Sequence, residues 1–310
     1  MSMLSRLPLF PNFEPITLEL REDYEKYLKN FETFSDFNFV SVWTYMGHEC
    51  KLSNLNGNLV FKMIDYSTHE PFLSILGDMR LTHSLDTLFE YLDASDMKAE
   101  IKLVPATSSM SALNKTGKYA FHLDRNNFDY IIDVKKLMNL EGNQMKTKRR
   151  QIQVFKSYAP NHIVRQMDLR TSDDQAQVIQ LVKHWSKNSK KESEHDHTQA
   201  VHKLLSHAHD FHTIDLGVFV DNRLVAFTIN EVIHNHMYMA HFGNADKAVP
   251  GIYSFMEHET ARFMHEKYEC LYFNFQQDLG IPNLRRSKLS YRPHRFLEKG
   301  IISRKTVSES

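Results

Sequence analysis

The segment from Phe273 to Pro293, FNFQQDLGIPNLRRSKLSYRP, sets one carboxylate, Asp278, ahead of Arg285, Arg286, Lys288 and Arg292. It follows an apolar stretch, Cys270 to Phe273, that predicts a strand, and it turns at Gly280 and Pro282. The formal net charge of the chain is zero, so this is a local concentration of positive charge just beyond a strand end. Ligands of α/β sheets gather at the carboxyl ends of strands. Clustered guanidinium and ammonium groups there suit phosphate or carboxylate ligands. A solvated basic loop carries the same pattern.

A second basic run, Lys146, Lys148, Arg149, Arg150 and Lys156, reads either as a surface for a polyanion or as a solvated helix face. The polar block Asp124 to Tyr130 offers Asn127 and Asp129 to a ligand, or closes a turn before a strand over Tyr130 to Val134. Eighteen histidines raise the question of a metal. Neither HExxH nor CxxC accompanies them, and His202 and His209 are two helical turns apart, so no metal site is predicted. The sequence also lacks a P-loop, a Rossmann fingerprint and a GxSxG elbow.

The elements that must position these groups show a repeat. Asn56, Gly57 and Asn58 precede LVFKMIDY and then FLSILGD, while Asp221, Asn222 and Arg223 precede LVAFTINEVI and then MYMAHFGNAD. Each set predicts a hairpin with a tight polar turn. A helix then follows in both halves. Leu85, Leu88, Phe89 and Leu92 form one face of the first, capped by Thr82 or Ser84. Ile252, Phe255, Met256 and Phe263 form the stripe of the second. Strands over Glu100–Pro105 and Cys270–Phe275 come next. Further apolar helix faces are Tyr24, Tyr27, Leu28 and Phe31, then Ala176, Ile179, Val182 and Trp185, then Ala200, Val201, Leu204, Leu205 and Ala208.

At 310 residues the chain suits two domains of ordinary size or one large one. The expected division is 1–140, a linking basic helix over 141–158, a second unit over 159–305 and a frayed tail over 306–310. No run of eighteen apolar residues occurs, so nothing is expected to span a bilayer and any membrane contact is peripheral. The N-terminus does not read as a signal peptide. Two cysteines are too few for a disulfide framework, which makes the cytoplasm the expected compartment.

The order hairpin, strand, helix, strand resembles the Gcn5-related N-acetyltransferase (GNAT) fold. The expected class is α/β (α+β), with two tandem acyl-CoA N-acyltransferase-like units, each a mixed, mostly antiparallel sheet flanked by helices. Enzymes of that fold hold the coenzyme A pyrophosphate with a glycine-rich loop at the start of the main helix. Here the corresponding stretch, Ala245 to Tyr253, has only Gly251, and Pro250 removes a donor.

More specifically, DLGIxxLRxxKLSYxP (Asp278 to Pro293) resembles the C-terminal catalytic domain of bacterial phosphatidylglycerol lysyltransferases and its free-standing relatives. DRNNFDYIIDVKKLMNLEGNQMKTKRRQI (Asp124 to Ile152), LVAFTINEVI with AHFGNAD, and SDFNFVSVW (Ser35 to Trp43) also match, in the family's order. The resemblance implies an aminoacyl-tRNA donor, no cofactor, and a lipid, peptide or amine acceptor in the cytoplasm or at the inner membrane face. The two basic runs would then bind tRNA phosphates beside a cleft at the junction of the units, with Arg285 and Arg286 as backbone clamps and Arg292 as a further substrate contact. Lys288 would meet a phosphate or the developing oxyanion. Asp278 would orient the aminoacyl ammonium or accept a proton, unless it serves only as a loop-fixing partner of Arg285. Tyr291 would donate a hydrogen bond or pack. Glu231 and His241, on second-unit strands, are further proton acceptors. The alternatives are an acyl-CoA N-acyltransferase and a non-catalytic module that binds RNA or an anionic surface.

Overall fold

Two tight turns frame the structure, a computed structural model that describes residues 3–65, 68–115, 117–186 and 192–305. At Asn56 and Gly57 the backbone takes φ of 54° and 87°, and at Asp221 and Asn222 it takes 49° and 62°. Two-residue hairpin turns of type I′ need positive φ at both central residues, which Asn, Asp and Gly reach at least cost. The NGN and DNR tracts are therefore hairpin turns, as the sequence predicts.

The chain divides into two units. One comprises Met1–Asp129, Gln277–Pro282 and Phe296–Ser310, and the other Tyr130–Gln276 and Asn283–Arg295. The expected frayed tail lies outside the described residues.

In chain order the first unit holds β1 (Glu14–Pro15), α1 (Arg21–Leu28), α2 (Phe39–Tyr45), β2 (Lys51–Leu55), β3 (Asn58–Ile64), β4 (Pro71–Leu76), α3 (Leu81–Asp93), β5 (Glu100–Pro105), α4 (Ser108–Ala112) and β6 (Tyr119–Leu123). There follow β7 (Asp129–Asp133), α5 (Val134–Asn139), α6 (Lys146–Tyr158), β8 (Ile163–Met167), α7 (Ser172–Ser186) and α8 (Glu192–Ser206). Then come β9 (Ile214–Val220), β10 (Arg223–Ile233), β11 (Met237–Ala245), α9 (Ile252–Tyr268), β12 (Tyr272–Asn274), α10 (Pro282–Leu289), β13 (Arg295–Leu297) and β14 (Lys299–Arg304).

Each sheet has seven strands, ordered β1-β2-β3-β4-β5-β14-β6 and β13-β7-β12-β11-β10-β9-β8. The hairpin pairs are antiparallel, while β4 with β5 and β11 with β12 run parallel across a helix. The acetyltransferase order is thus present twice, in two mixed, mostly antiparallel sheets flanked by helices. The last strand, β14, lies between β5 and β6.

Leu85, Leu88, Phe89 and Leu92 of α3 are buried against Val60, Leu73, Ile75 and Ile101, and Ile302 of β14 joins the same cluster. Full burial of such a side chain contributes about 1.5–3 kcal/mol, so the predicted stripe holds this helix to its sheet. Its cap differs from expectation. Arg80, in the left-handed region, precedes the helix, and Ser84 sits inside it with its hydroxyl donating to the Met79 carbonyl at 3.1 Å.

The face of α7 also differs. Ala176 is exposed, while Val178, Leu181 and Val182 are buried. Asp174 lies on that buried face, where its carboxylate accepts the Asp168 N–H at 2.8 Å and two Arg165 N–H bonds at 2.5 and 3.1 Å. The α8 face Ala200, Val201, Leu204 and Leu205 is buried as expected.

Candidate functional site

Helix α6 separates the basic run by direction. Lys146, Arg149, Arg150 and Lys156 are exposed, whereas Lys148 is buried with Ile152 and Phe155. At 3.6 residues per turn the first four fall within one arc and Lys148 opposite. Arg149 is occupied, since its guanidinium donates to the carbonyls of Leu140 and Gly142 (the latter at 2.8 Å) and closes the end of α5. The Lys148 ammonium lies 3.5 Å above the centroid of the Tyr291 ring. Burial pulls its pKa down to about 8, although Glu257 favours its charged form.

Glu257, on α9, carries no signal of its own in the sequence. Burial pushes its carboxyl up to about 7, against the pull of two cations, Lys148 and Lys288. Lys288 on α10 is itself buried; it donates to the Phe275 carbonyl and lies 4.4 Å from the centroid of the Phe275 ring. Tyr291 is 4% exposed and packs edge-on against Phe275 at 5.4 Å. Burial, and then Glu257, raise its phenol far above the ordinary value. Nearby, the buried Tyr238 hydroxyl has no hydrogen-bond partner among the described residues, and Glu257 and Tyr291 both act on it electrostatically. The second unit therefore gathers a half-buried carboxyl titrating near neutrality with two buried ammonium groups and two phenols.

Gly251 shows why α6 and α9 can meet this closely. It precedes α9 with φ of 74°, and a Cβ there would lie 2.0 Å from the Gln151 carbonyl oxygen of α6 and 3.2 Å from the Phe155 nitrogen. The obstacle is helix backbone, which cannot rotate away. Gly251→Ala is expected to lower the urea midpoint by an amount equal to about 1–3 kcal/mol or more. An unchanged midpoint would show that the helices have room to part.

The remaining predicted residues fall elsewhere. Asp278 is fully buried in the first unit, where Oδ1 accepts the Gly280 N–H at 2.9 Å and Oδ2 meets Arg125 at 3.3 Å. Asn127 donates to Asp124 at 2.7 Å, and the Asp124 side chain also accepts the Asn126 N–H at 3.2 Å, so the block closes a turn. Asp129, offered by the sequence as a ligand contact, is fully buried and committed to the protein. Its oxygens accept Ser35 N–H at 2.6 Å, Ser35 Oγ at 2.7 Å and Lys299 Nζ at 2.9 Å. Lys299 also binds Asp36, which takes a hydrogen bond from Gln277 at 2.9 Å.

Glu231 and His241 are brought together on β10 and β11, with Nε2 to Oε2 at 3.1 Å. Arg286, Arg292 and Arg295 are exposed and Arg285 is half-buried. Among the described residues no group of three or more His, Cys, Asp or Glu side chains could hold a metal. No helix of the described residues is long and apolar enough to cross a membrane.

The family described as phosphatidylglycerol lysyltransferase, C-terminal, matches residues 20–301. A conserved protein of unknown function from Bacteroides thetaiotaomicron VPI-5482 has a similar structure, with a TM-score of 0.80 at 24% identity over 94% of this chain and 99% of that one. L-PGS from Bacillus licheniformis gives a TM-score of 0.61 at 13% identity over 93% of this chain and 92% of that one. At these identities the likeness to solved structures is one of fold. No curated protein matches the chain.

Proposed function

This chain belongs to the phosphatidylglycerol lysyltransferase C-terminal family, and from that premise we propose that it transfers an aminoacyl group from aminoacyl-tRNA to a hydroxyl or amine acceptor, with the chemistry in its second unit. The observation that carries the reading is Glu257, whose carboxyl is held at about 7 beside Lys148 and Lys288. A general base works best when its pKa lies near the operating pH.

An aminoacyl ester is already activated, so the protein must align the acceptor, remove its proton and stabilise the oxyanion. In this reading Glu257 takes the acceptor proton as the acceptor's lone pair forms the new bond to the ester carbonyl carbon. The bond from that carbon to the ribose oxygen breaks, and the oxygen leaves with a proton from Lys148. Lys288, anchored on the Phe275 carbonyl, supplies fixed positive charge. The outward arc of Lys146, Arg150 and Lys156 suits tRNA phosphates, which need charge without sequence readout.

The contact of Gly251 with the Gln151 carbonyl weighs against an acyl-CoA donor. It brings α6 against the start of α9, where enzymes of this fold hold pyrophosphate. On this reading the enzyme works in the cytoplasm or at the inner face of the membrane, where charged tRNA is found.

The test is incubation with radiolabelled aminoacyl-tRNAs and cell extract, followed by lipid and peptide fractionation. Label is expected in one fraction with acid-stable linkage, in proportion to added protein. Salt-sensitive tRNA binding with no label in either fraction would replace the reading with a binding module. Stabilisation of the protein by acetyl-CoA would replace it with an acyl-CoA enzyme.

A further inference from the structure

A cavity of about 720 Å³ opens in the second unit between β8, the start of α7, the segment joining α8 to β9, and Tyr268 at the end of α9. Its charges are largely spoken for. Asp168 grips Arg170 through both oxygens, at 2.7 and 2.9 Å, and Asp174 grips Arg165 at 2.5 and 3.1 Å. Each arginine on the wall thus faces a carboxylate of its own.

Asp215 is different. It lines the same cavity and is 5% exposed. Oδ2 takes a hydrogen bond from Thr213 at 3.1 Å, while the buried Oδ1 has no partner among the described residues. Burying a carboxyl oxygen without a partner is costly, and proteins seldom leave one so unless something meets it. An anion entering here would meet the Asp215 carboxyl and two arginines already matched. A ligand with donors and positive charge would suit that wall. No group of three or more potential metal ligands exists among the described residues, which favours an organic ammonium over a metal ion.

We propose that this cavity binds a ligand carrying a primary ammonium group, with the Asp215 carboxylate as its counter-ion. The volume is that of an ordinary small-molecule site. His209 and His212, both exposed, stand at the wall with Tyr268. The proposal stands apart from the transfer reaction and uses none of its residues.

Protonation gives it a signature. Burial pushes Asp215 up to about 8; Thr213 pulls it down, Asp168 and Asp174 push it up, and Arg170 pulls it down. Near pH 7 the carboxyl is mostly neutral, and an arriving ammonium favours its ionised form. Binding therefore releases up to one proton from Asp215 per ligand, and it tightens as pH rises toward 8 while the amine stays protonated.

Isothermal titration with n-butylammonium chloride tests this, in two buffers of different ionisation enthalpy, with n-butanol as the neutral control. Expected are saturable binding of the ammonium only, net proton release at about pH 7, and a loss of about tenfold or more in affinity in Asp215→Asn. Absence of saturable binding, equal binding of butanol, or binding without proton release would overturn the proposal. So would undiminished affinity in a folded Asp215→Asn. The butanol control and the proton count are read on the unaltered protein, so they decide the matter even if the variant does not fold.

Discussion

Glu257→Gln is expected to reduce aminoacyl transfer by about 10²–10⁴-fold, the range for removing a general base, while the protein remains folded. The shape of the pH profile makes the expectation specific. If Glu257 must be ionised, the rate rises with pH through about 7. If Lys148 must be protonated to release the ribose oxygen, the rate falls above about 8. The unaltered enzyme should therefore show a narrow bell. In the Gln variant the rising limb disappears. The falling limb should also move to lower pH, because Glu257 is what favours the charged form of Lys148 against burial.

Stability should change in the opposite sense to activity. The folded pKa of Glu257 lies above its ordinary 4.5, so its contribution is complete at low pH and is lost as pH rises through about 7. A neutral Gln loses nothing over that window. Relative to the unaltered protein, the urea midpoint of the variant should rise between about pH 4.5 and 7. A variant that is inactive and also destabilised across this range would mark Glu257 as structural. Full activity in the variant would remove it from the reaction.

Lys299→Met should destabilise the first unit by about 3–5 kcal/mol, the cost of removing one partner from a buried ion cluster. Lys299, Asp36 and Asp129 are each 3% exposed or less. Burial disfavours the lysine charge, but Asp129 and Asp36 together outweigh it and raise its pKa above the usual value. Asp36 is raised as well, because burial and Asp129 push it up harder than Lys299 pulls it down. Methionine fills a similar volume without the charge, leaving two carboxylates face to face. The variant can escape part of the repulsion by protonating Asp36. Its deficit should therefore be smallest at acid pH and grow toward neutrality, as a series of urea midpoints would show. Since domains are stable by only about 5–15 kcal/mol, the loss would be a large share of the whole. A pH-independent change below about 1 kcal/mol would mean that the cluster contributes little.

Local features are legible in the order of the amino acids. Asn56-Gly57 and Asp221-Asn222 are hairpin turns because φ preference belongs to single residues. The α3 stripe is legible because its spacing is a property of a short window. The family blocks are legible in the same way, as strings of neighbouring residues. Asp278 and Lys288 lie ten positions apart in one such block, yet they fall in different units.

What eludes the sequence depends on burial and on distant pairing. Lys148, Lys288 and Lys299 look like the solvated lysines around them, and a string of letters records charge without recording what covers it. Glu257 sits on a helix buried around much of its circumference, from Ser254 and Phe255 to Glu259, Ala261 and Met264. No amphipathic pattern could single it out there. Asp36 and Lys299 are 263 positions apart and meet through tertiary structure, with β14 paired between β5 and β6. Conformational preference and hydrophobic spacing act over a few residues and are written in composition. Desolvation and Coulomb forces act through space, so the shifted acids and bases of this protein exist only once the chain has closed around them.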